Sequence, residues 1–197
     1  MTGARPAPGS GHHGPIARLI LLNGPPGVGK SNVARRYLDD HPLALLVEID
    51  ALRCSLGRWE DRPETRLVAR SLATALARTH LQAGHDVIVP QYLGRTEFID
   101  TLCGVAEECG AGFHEVVLMD GEAALAERFR ARRAQLAADG RPHPQTDVAE
   151  DNVDEVVADA VERLRALSAP RPQVCVVPVR SSVESTYRAL LAALEAR

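Results

Sequence analysis

Between an apolar run at Arg18 to Asn23 (RLILLN) and a helical pattern that begins at Lys30, the chain carries Gly24-Pro25-Pro26-Gly27-Val28-Gly29-Lys30-Ser31. The spacing is GxxxxGK[ST], and its place between strand and helix raises it above a chance match. Glycines let backbone N–H groups turn inward around an anion, and the helix start adds partial positive charge at the same point. The segment predicts a phosphate cradle built from Gly24, Pro25, Pro26, Gly27, Val28 and Gly29, with Asn32 continuing it into the helix. Lys30 is placed to reach the β- and γ-phosphates of a nucleotide, and Ser31 to ligate Mg²⁺.

Four more short runs rich in Val, Ile and Leu follow: Leu43 to Ile49, His85 to Pro90, His114 to Met119 and Val174 to Val179. Near-continuous apolar character suits strands buried on both faces. Helix-length segments separate them, at Arg62 to Ala83, Arg95 to Cys109, Gly121 to Ala138, Val148 to Leu167 and Ser182 to Ala196. Alternation of this kind predicts an α/β fold with a parallel sheet covered on both sides. Asp120 is expected to cap the helix opening at Gly121, and Gly84 and Gly110 to lie just past two helix ends.

At 197 residues and 45% hydrophobic content the chain suits one domain. Residues 16–197 form it, and 1–15 (MTGARPAPGSGHHGP) read as a disordered leader in which His12 and His13 are solvated. A formal charge of −3 gives no basic excess for nucleic acid or an anionic membrane surface, so neither is expected as a partner. No apolar run reaches the roughly 18 residues of a membrane span. Cys54, Cys103, Cys109 and Cys175 are scattered without a CxxC pair, which fits reduced thiols and a cytoplasmic location. A monomer or homodimer is expected.

The same cradle serves switches, motors, pumps and kinases. The chain is short for a motor and shows no NKxD guanine motif, no ABC-type signature and no hydrophobic run ending in DE, which leaves small kinases. With the loop near the N-terminus, Asp50 after the second run (VEIDALR) and an arginine-bearing helix after the fourth (ERFRARRAQ), the chain resembles the nucleoside and small-molecule kinase branch of P-loop proteins, chloramphenicol phosphotransferase-like enzymes above all. The resemblance implies a five-stranded sheet in the order 2-3-1-4-5 with a helical lid, ATP or GTP as phosphoryl donor with Mg²⁺, and a small-molecule hydroxyl as acceptor.

Asp50 is then placed as general base, as Mg²⁺ ligand through water, or as both, and a plain helix N-cap is the alternative. Arg53 fits the Asp-x-x-Arg arrangement of adenylylsulfate-kinase-like proteins and binds an anionic or polar part of the acceptor, unless it is simply solvated. Arg128 and Arg132 are four apart and share a helix face, with Arg133 about 100° away; the resemblance makes them lid arginines at the nucleotide, in the order Arg128, Arg132, Arg133. Asp139 to Asp147 (DGRPHPQTD) reads as a mobile loop following a basic helix, with a part in a lid as one option. Val179, in the segment Pro178 to Ser181, falls where such kinases wrap the purine. Gln91 and Tyr92 stand where many relatives carry a second carboxylate, and they either meet the acceptor or pack. Trp59 is either an aromatic wall for the acceptor or a loop anchor. An antibiotic of the chloramphenicol or capuramycin type suits as acceptor; the rivals are a zeta-toxin-like nucleotide-sugar kinase and a nucleotide-binding regulatory module with no acceptor.

Overall fold

Alternate residues of the first strand serve two cores. In β1 (Arg18–Asn23), Leu19 and Leu21 face one side of the sheet and Ile20 and Leu22 the other, all without solvent exposure. A strand can only do this at the centre of a sheet with helices on both faces. The computed structural model describes residues 16–140 and 142–196; the expected leader, with His12 and His13, lies outside them.

After β1 come α1 (Lys30–Asp40), β2 (Leu45–Leu46), α2 (Ile49–Cys54), α3 (Thr65–Gln82), β3 (Val87–Pro90), α4 (Glu97–Glu108), β4 (Gly112–Met119), α5 (Glu122–Ala138), α6 (Val153–Ser168), β5 (Cys175–Pro178) and α7 (Val183–Glu195). The strands pair in parallel in the order β2-β3-β1-β4-β5. This is the order that the resemblance implied.

Helices α1, α5, α6 and α7 pack on the Ile20 and Leu22 face, and α3 and α4 on the Leu19 and Leu21 face. Ala69, Ala73 and Ala77, one turn apart along α3, are buried there, and their small side chains let the helix lie close on the sheet. The chain leaves β1 towards one face and β3 towards the other, so a crevice opens at the carboxyl ends of these two neighbouring strands. Open α/β sheets bind ligands at such a point.

Two local expectations are corrected. The second run yields only a two-residue edge strand, and Ile49 already opens α2. Leu43 turns through a positive φ of 68° just before the strand, and the last sheet bond is Val47 N–H to Ile88 O at 2.9 Å. Asp50 therefore sits in the first turn of a short helix. Asp120 does not cap α5; Gly121 holds the cap position, and Asp120 Oδ1 accepts the Gly121 N–H at 2.8 Å. Gly84 and Gly110 do lie just past helix ends, with φ of 83° and 65°.

Glu115 on β4 is a buried carboxylate, paired with Arg171 at 2.5 Å. Removing the cation alone strands a charge without water, which typically costs about 3–5 kcal/mol, whereas an apolar pair of similar volume is close to neutral. Arg171→Leu is expected to lower unfolding stability in urea by an amount of that order, and Glu115→Leu added to it to restore most of the loss. Equal stability of the single and double variants would contradict this reading of the pair.

Candidate active site

Gly27 stands where α5 comes closest to the loop. Its φ is 77°, and a Cβ built there would run into the Leu125 carbonyl oxygen and lie 3.1 Å from the Phe129 nitrogen. No side chain fits. Gly29 closes the loop with a φ of 92° and serves as N-cap of α1. Arg128 straddles the same junction, with Nε donating to Gly27 O at 2.8 Å and Nη2 to Asp120 at 2.6 Å.

Lys30 reaches back across the cradle, and its Nζ donates to Gly24 O at 2.7 Å and Pro25 O at 3.0 Å. Burial lowers its pKa to about 8, and the Asp50 carboxylate acts in the opposite direction. The carboxylate is thus within electrostatic reach of the lysine. Among the described residues the Ser31 hydroxyl and the Asp50 carboxylate have no hydrogen-bond partner.

The loop is fastened to the turn after β3 by Asn23, which is fully buried. Its Oδ1 accepts from Gly24 N at 2.8 Å and Leu93 N at 2.9 Å, and its Nδ2 donates to Leu93 O at 3.0 Å. That turn forms one wall of a cavity of about 510 Å³ at the carboxyl end of β3, lined by Tyr92, Leu93, Gly94 and Arg95, with Arg70, Glu97, Phe98, Asp159 and Arg163 around it. The volume suits a drug-sized or nucleotide-sized molecule. The Arg70 guanidinium lies 4.9 Å from the centroid of the Phe98 ring, and Arg163 pairs with Asp159 at 2.7 Å. Arg70 and Arg95 have no acidic partner among the described residues.

Of the residues expected from sequence, Gly24 to Ser31, Asp50 and Arg128 come together around the cradle. Arg132 is exposed and has no ion pair among the described residues, whereas Arg133 is held by Glu150 and donates to Gln145 O at 3.3 Å. Arg133 thus braces the segment between α5 and α6. Tyr92 lines the cavity; Gln91 N–H bonds Leu22 O at 3.2 Å and its side chain lies outside the lining.

Trp59 is buried beneath Arg53, whose guanidinium lies 4.7 Å from the ring centroid while its Nε donates to Thr65 at 3.3 Å. Trp59 lines no part of the cavity. Val179 N–H bonds Met119 O at 2.8 Å and leads into α7, whose start is held by a Ser182 and Ser185 capping box.

Asn23, Arg70, Arg95 and Phe98 carry no motif-grade signal. A polar residue ending the run RLILLN was the one available hint of Asn23. All four cysteines are free thiols. No helix of the described residues is long and apolar enough to cross a membrane.

A family model described as AAA domain matches residues 19–167. An adenylate kinase of Deinococcus radiodurans is 30% identical over 144 residues, 66% of this chain and 71% of that protein. Among solved structures, a gluconokinase from Sinorhizobium meliloti 1021 shares 20% identity and a TM-score of 0.58 over 92% of this chain and 93% of its own. A tunicamycin resistance protein from Deinococcus radiodurans shares 19% and 0.57 over 90% and 95%. These likenesses to solved structures establish the fold.

The pKa of Lys30 sets a pH dependence for the cradle. Below about pH 8 the group is an ammonium, and above it the neutral amine prevails in the free protein. An anionic nucleotide should therefore bind with steady affinity towards neutral pH and progressively more weakly as the pH rises past about 8. Equilibrium binding of a fluorescent ATP analogue reads this directly. A Lys30→Gln variant should bind weakly at every pH, without the decline; a wild-type profile as flat as the variant's would remove Lys30 from the phosphate site.

Proposed function

The chain belongs to the AAA-domain family, and on that footing we propose that it moves the γ-phosphoryl group of ATP onto a hydroxyl of a small molecule. The observation that carries this reading is Lys30 held in the phosphate loop within electrostatic reach of Asp50, beside an open cavity whose wall is joined to that loop by Asn23.

The backbone of Gly24 to Ser31 and Lys30 hold the phosphates, and Arg128 and Arg132 offset charge on the equatorial oxygens during transfer. Arg128 already touches Gly27 O, which places it at the loop. The acceptor hydroxyl gives its proton to Asp50, its oxygen forms the new bond to phosphorus, and the bond to the β-phosphate oxygen breaks to leave ADP.

The loop and the unpartnered Ser31 hydroxyl fit a nucleotide-bound Mg²⁺, which small kinases hold with one or two protein oxygens beside the phosphates. Ser31 and Asp50 would hold it. Held there, it would supply positive charge that offsets the charge developing during transfer. Val179, in the segment leading from β5 to α7, is assigned to the purine.

Arg53, Arg70 and Arg95 favour an acceptor with polar or anionic groups, and Tyr92 and Phe98 one with a flat apolar part. Hydroxylated antibiotics belong among the candidates because a tunicamycin resistance protein shares the fold, and nucleotide sugars because the cavity is rich in arginine.

The test is transfer from γ-labelled ATP, with GTP in parallel, to pooled hydroxylated antibiotics, nucleosides, nucleotides and nucleotide sugars, with mass spectrometry of the product. An acceptor-dependent phosphomonoester is expected. Lys30→Ala should abolish its formation, and Asp50→Asn should lower kcat by about 10²-fold while nucleotide affinity stays unchanged. Nucleotide-dependent partner binding with no phosphorylated product across the pool would instead mark a regulatory module.

A further inference from the structure

A groove of about 440 Å³ runs between α3 and α4, and it shares Arg70, Glu97 and Phe98 with the cavity at the carboxyl end of β3. The two helices lie side by side in the same direction. Arg70 meets Phe98 near their starts, with the guanidinium 4.9 Å from the ring centroid, and Arg78 meets Glu108 near their ends at 2.5 Å. From Arg70 to Arg78 the helical rise makes the groove about 12 Å long. It adjoins the cavity at one end, and the pair Arg78 and Glu108 closes the other.

Between those ends the walls offer little to a polar ligand. Thr74 Oγ1 donates to Arg70 O at 2.9 Å and Thr101 Oγ1 to Glu97 O at 2.8 Å, each four residues back on its own helix. A threonine whose hydroxyl is committed to its own backbone has only a methyl group left to present. Ala75 continues the α3 wall, and Ser71 carries the one side-chain hydroxyl there without a partner among the described residues. Leu67, one turn before Arg70, lines the mouth and is 67% exposed. No residue from Ser71 to Ala77 is charged, although the outer side of a surface helix is ordinarily polar.

Charge gathers at the cavity instead, where Arg70, Arg95 and Glu97 have no ion-pair partner among the described residues. Polarity therefore falls from the cavity into the groove. Spread along that length, the groove's volume gives a section roughly 6 Å across, wide enough for an alkyl chain but too narrow to seat a helix, which is about 10 Å in diameter. Its length takes an extended chain of about eight to ten carbons.

We propose that the groove between α3 and α4 binds an aliphatic chain, and that the acceptor is an amphipathic molecule whose hydroxyl-bearing polar head lies in the cavity while its chain lies between Arg70 and Arg78. That the chain belongs to the acceptor rests on the phosphotransferase reading; that the groove takes a chain does not.

The first test reads binding alone. Protein labelled with carbon-13 at its alanine and threonine methyl groups is titrated with n-alkyl β-D-glucosides of four to twelve carbons, below the concentrations at which they form micelles. The signals of Thr74, Ala75 and Thr101 should shift together, and affinity should rise about two- to threefold per methylene up to about ten carbons and then level off. Ala75→Glu sets a carboxylate in the groove at an exposed helical position that tolerates glutamate, and it should abolish the dependence on chain length while leaving binding of an ATP analogue unchanged. Thr74→Val, which keeps a methyl and loses only the hydroxyl turned onto Arg70 O, should preserve the dependence. Affinity indifferent to chain length, or the same dependence in Ala75→Glu, overturns the proposal. So does a dimer in sedimentation whose formation shifts the Thr74 and Ala75 signals without any glucoside, since the face then belongs to a second copy.

The second test reads transfer. Among phosphorylated acceptors that differ only in chain length, KM should fall as the chain lengthens with kcat steady, and Ala75→Glu should return the long-chain KM to the short-chain value. A KM independent of chain length would detach the chain from the acceptor and overturn that half of the proposal. Chain binding in the first test with no transfer to any acceptor would count against the phosphotransferase reading and uphold the groove as a chain site.

Discussion

A buried amide is costly unless all its hydrogen-bonding groups are satisfied, and the fully buried Asn23 side chain meets that demand by joining the first residue of the phosphate loop to Leu93 through three bonds. Loop and turn leave neighbouring strands towards opposite faces of the sheet, and beyond the strand pairing that ends with Gln91 N–H on Leu22 O at 3.2 Å, this side chain is what ties them together. With it, the cradle and the cavity wall at Tyr92 to Arg95 are joined by side-chain as well as backbone bonds. In-line transfer needs donor and acceptor held at fixed separation, and a single side chain supplies much of that constraint.

The basic residues divide into two sets. Arg18, Arg36, Arg78, Arg133 and Arg171 are paired with carboxylates and brace the scaffold. Arg53, Arg70, Arg95 and Arg132 have no carboxylate partner among the described residues and lie near the crevice or on the helix that flanks it. Lys30 is the one lysine of the sequence, and desolvation in the loop lowers its pKa to about 8. A guanidinium keeps its charge through such burial, but the compact ammonium on a flexible stem is what a phosphate loop can enclose.

The phosphate loop was legible in the sequence because its chemistry is local: glycines, a lysine and a serine at fixed spacing act on one ligand. The strands were legible because burial on both faces leaves continuous apolar runs. The sheet order came from resemblance, since runs alone do not say which strand pairs with which. What escaped depends on contacts distant in the chain. Helix α2 was absorbed into the second run because LALLVEI is equally apolar in either conformation. Arg70 and Arg95 sit in unremarkable helical and turn sequence, and only the packing of α3 against α4 brings them to one cavity. The prolines after α5 speak for a loop, but nothing in them says that Pro142 O would meet Cys54 Sγ.

On the proposed reading the cradle takes a triphosphate, and Lys30 exchanges the loop's own carbonyls for phosphate oxygens. A crystal structure with Mg²⁺ and a non-hydrolysable ATP analogue measures this most directly. The β- and γ-phosphates are expected inside Gly24 to Ser31, with Lys30 Nζ released from Gly24 O and Pro25 O onto them and the purine beside Val179. Phosphates bound elsewhere, or Lys30 still on the two carbonyls with nucleotide present, would contradict it.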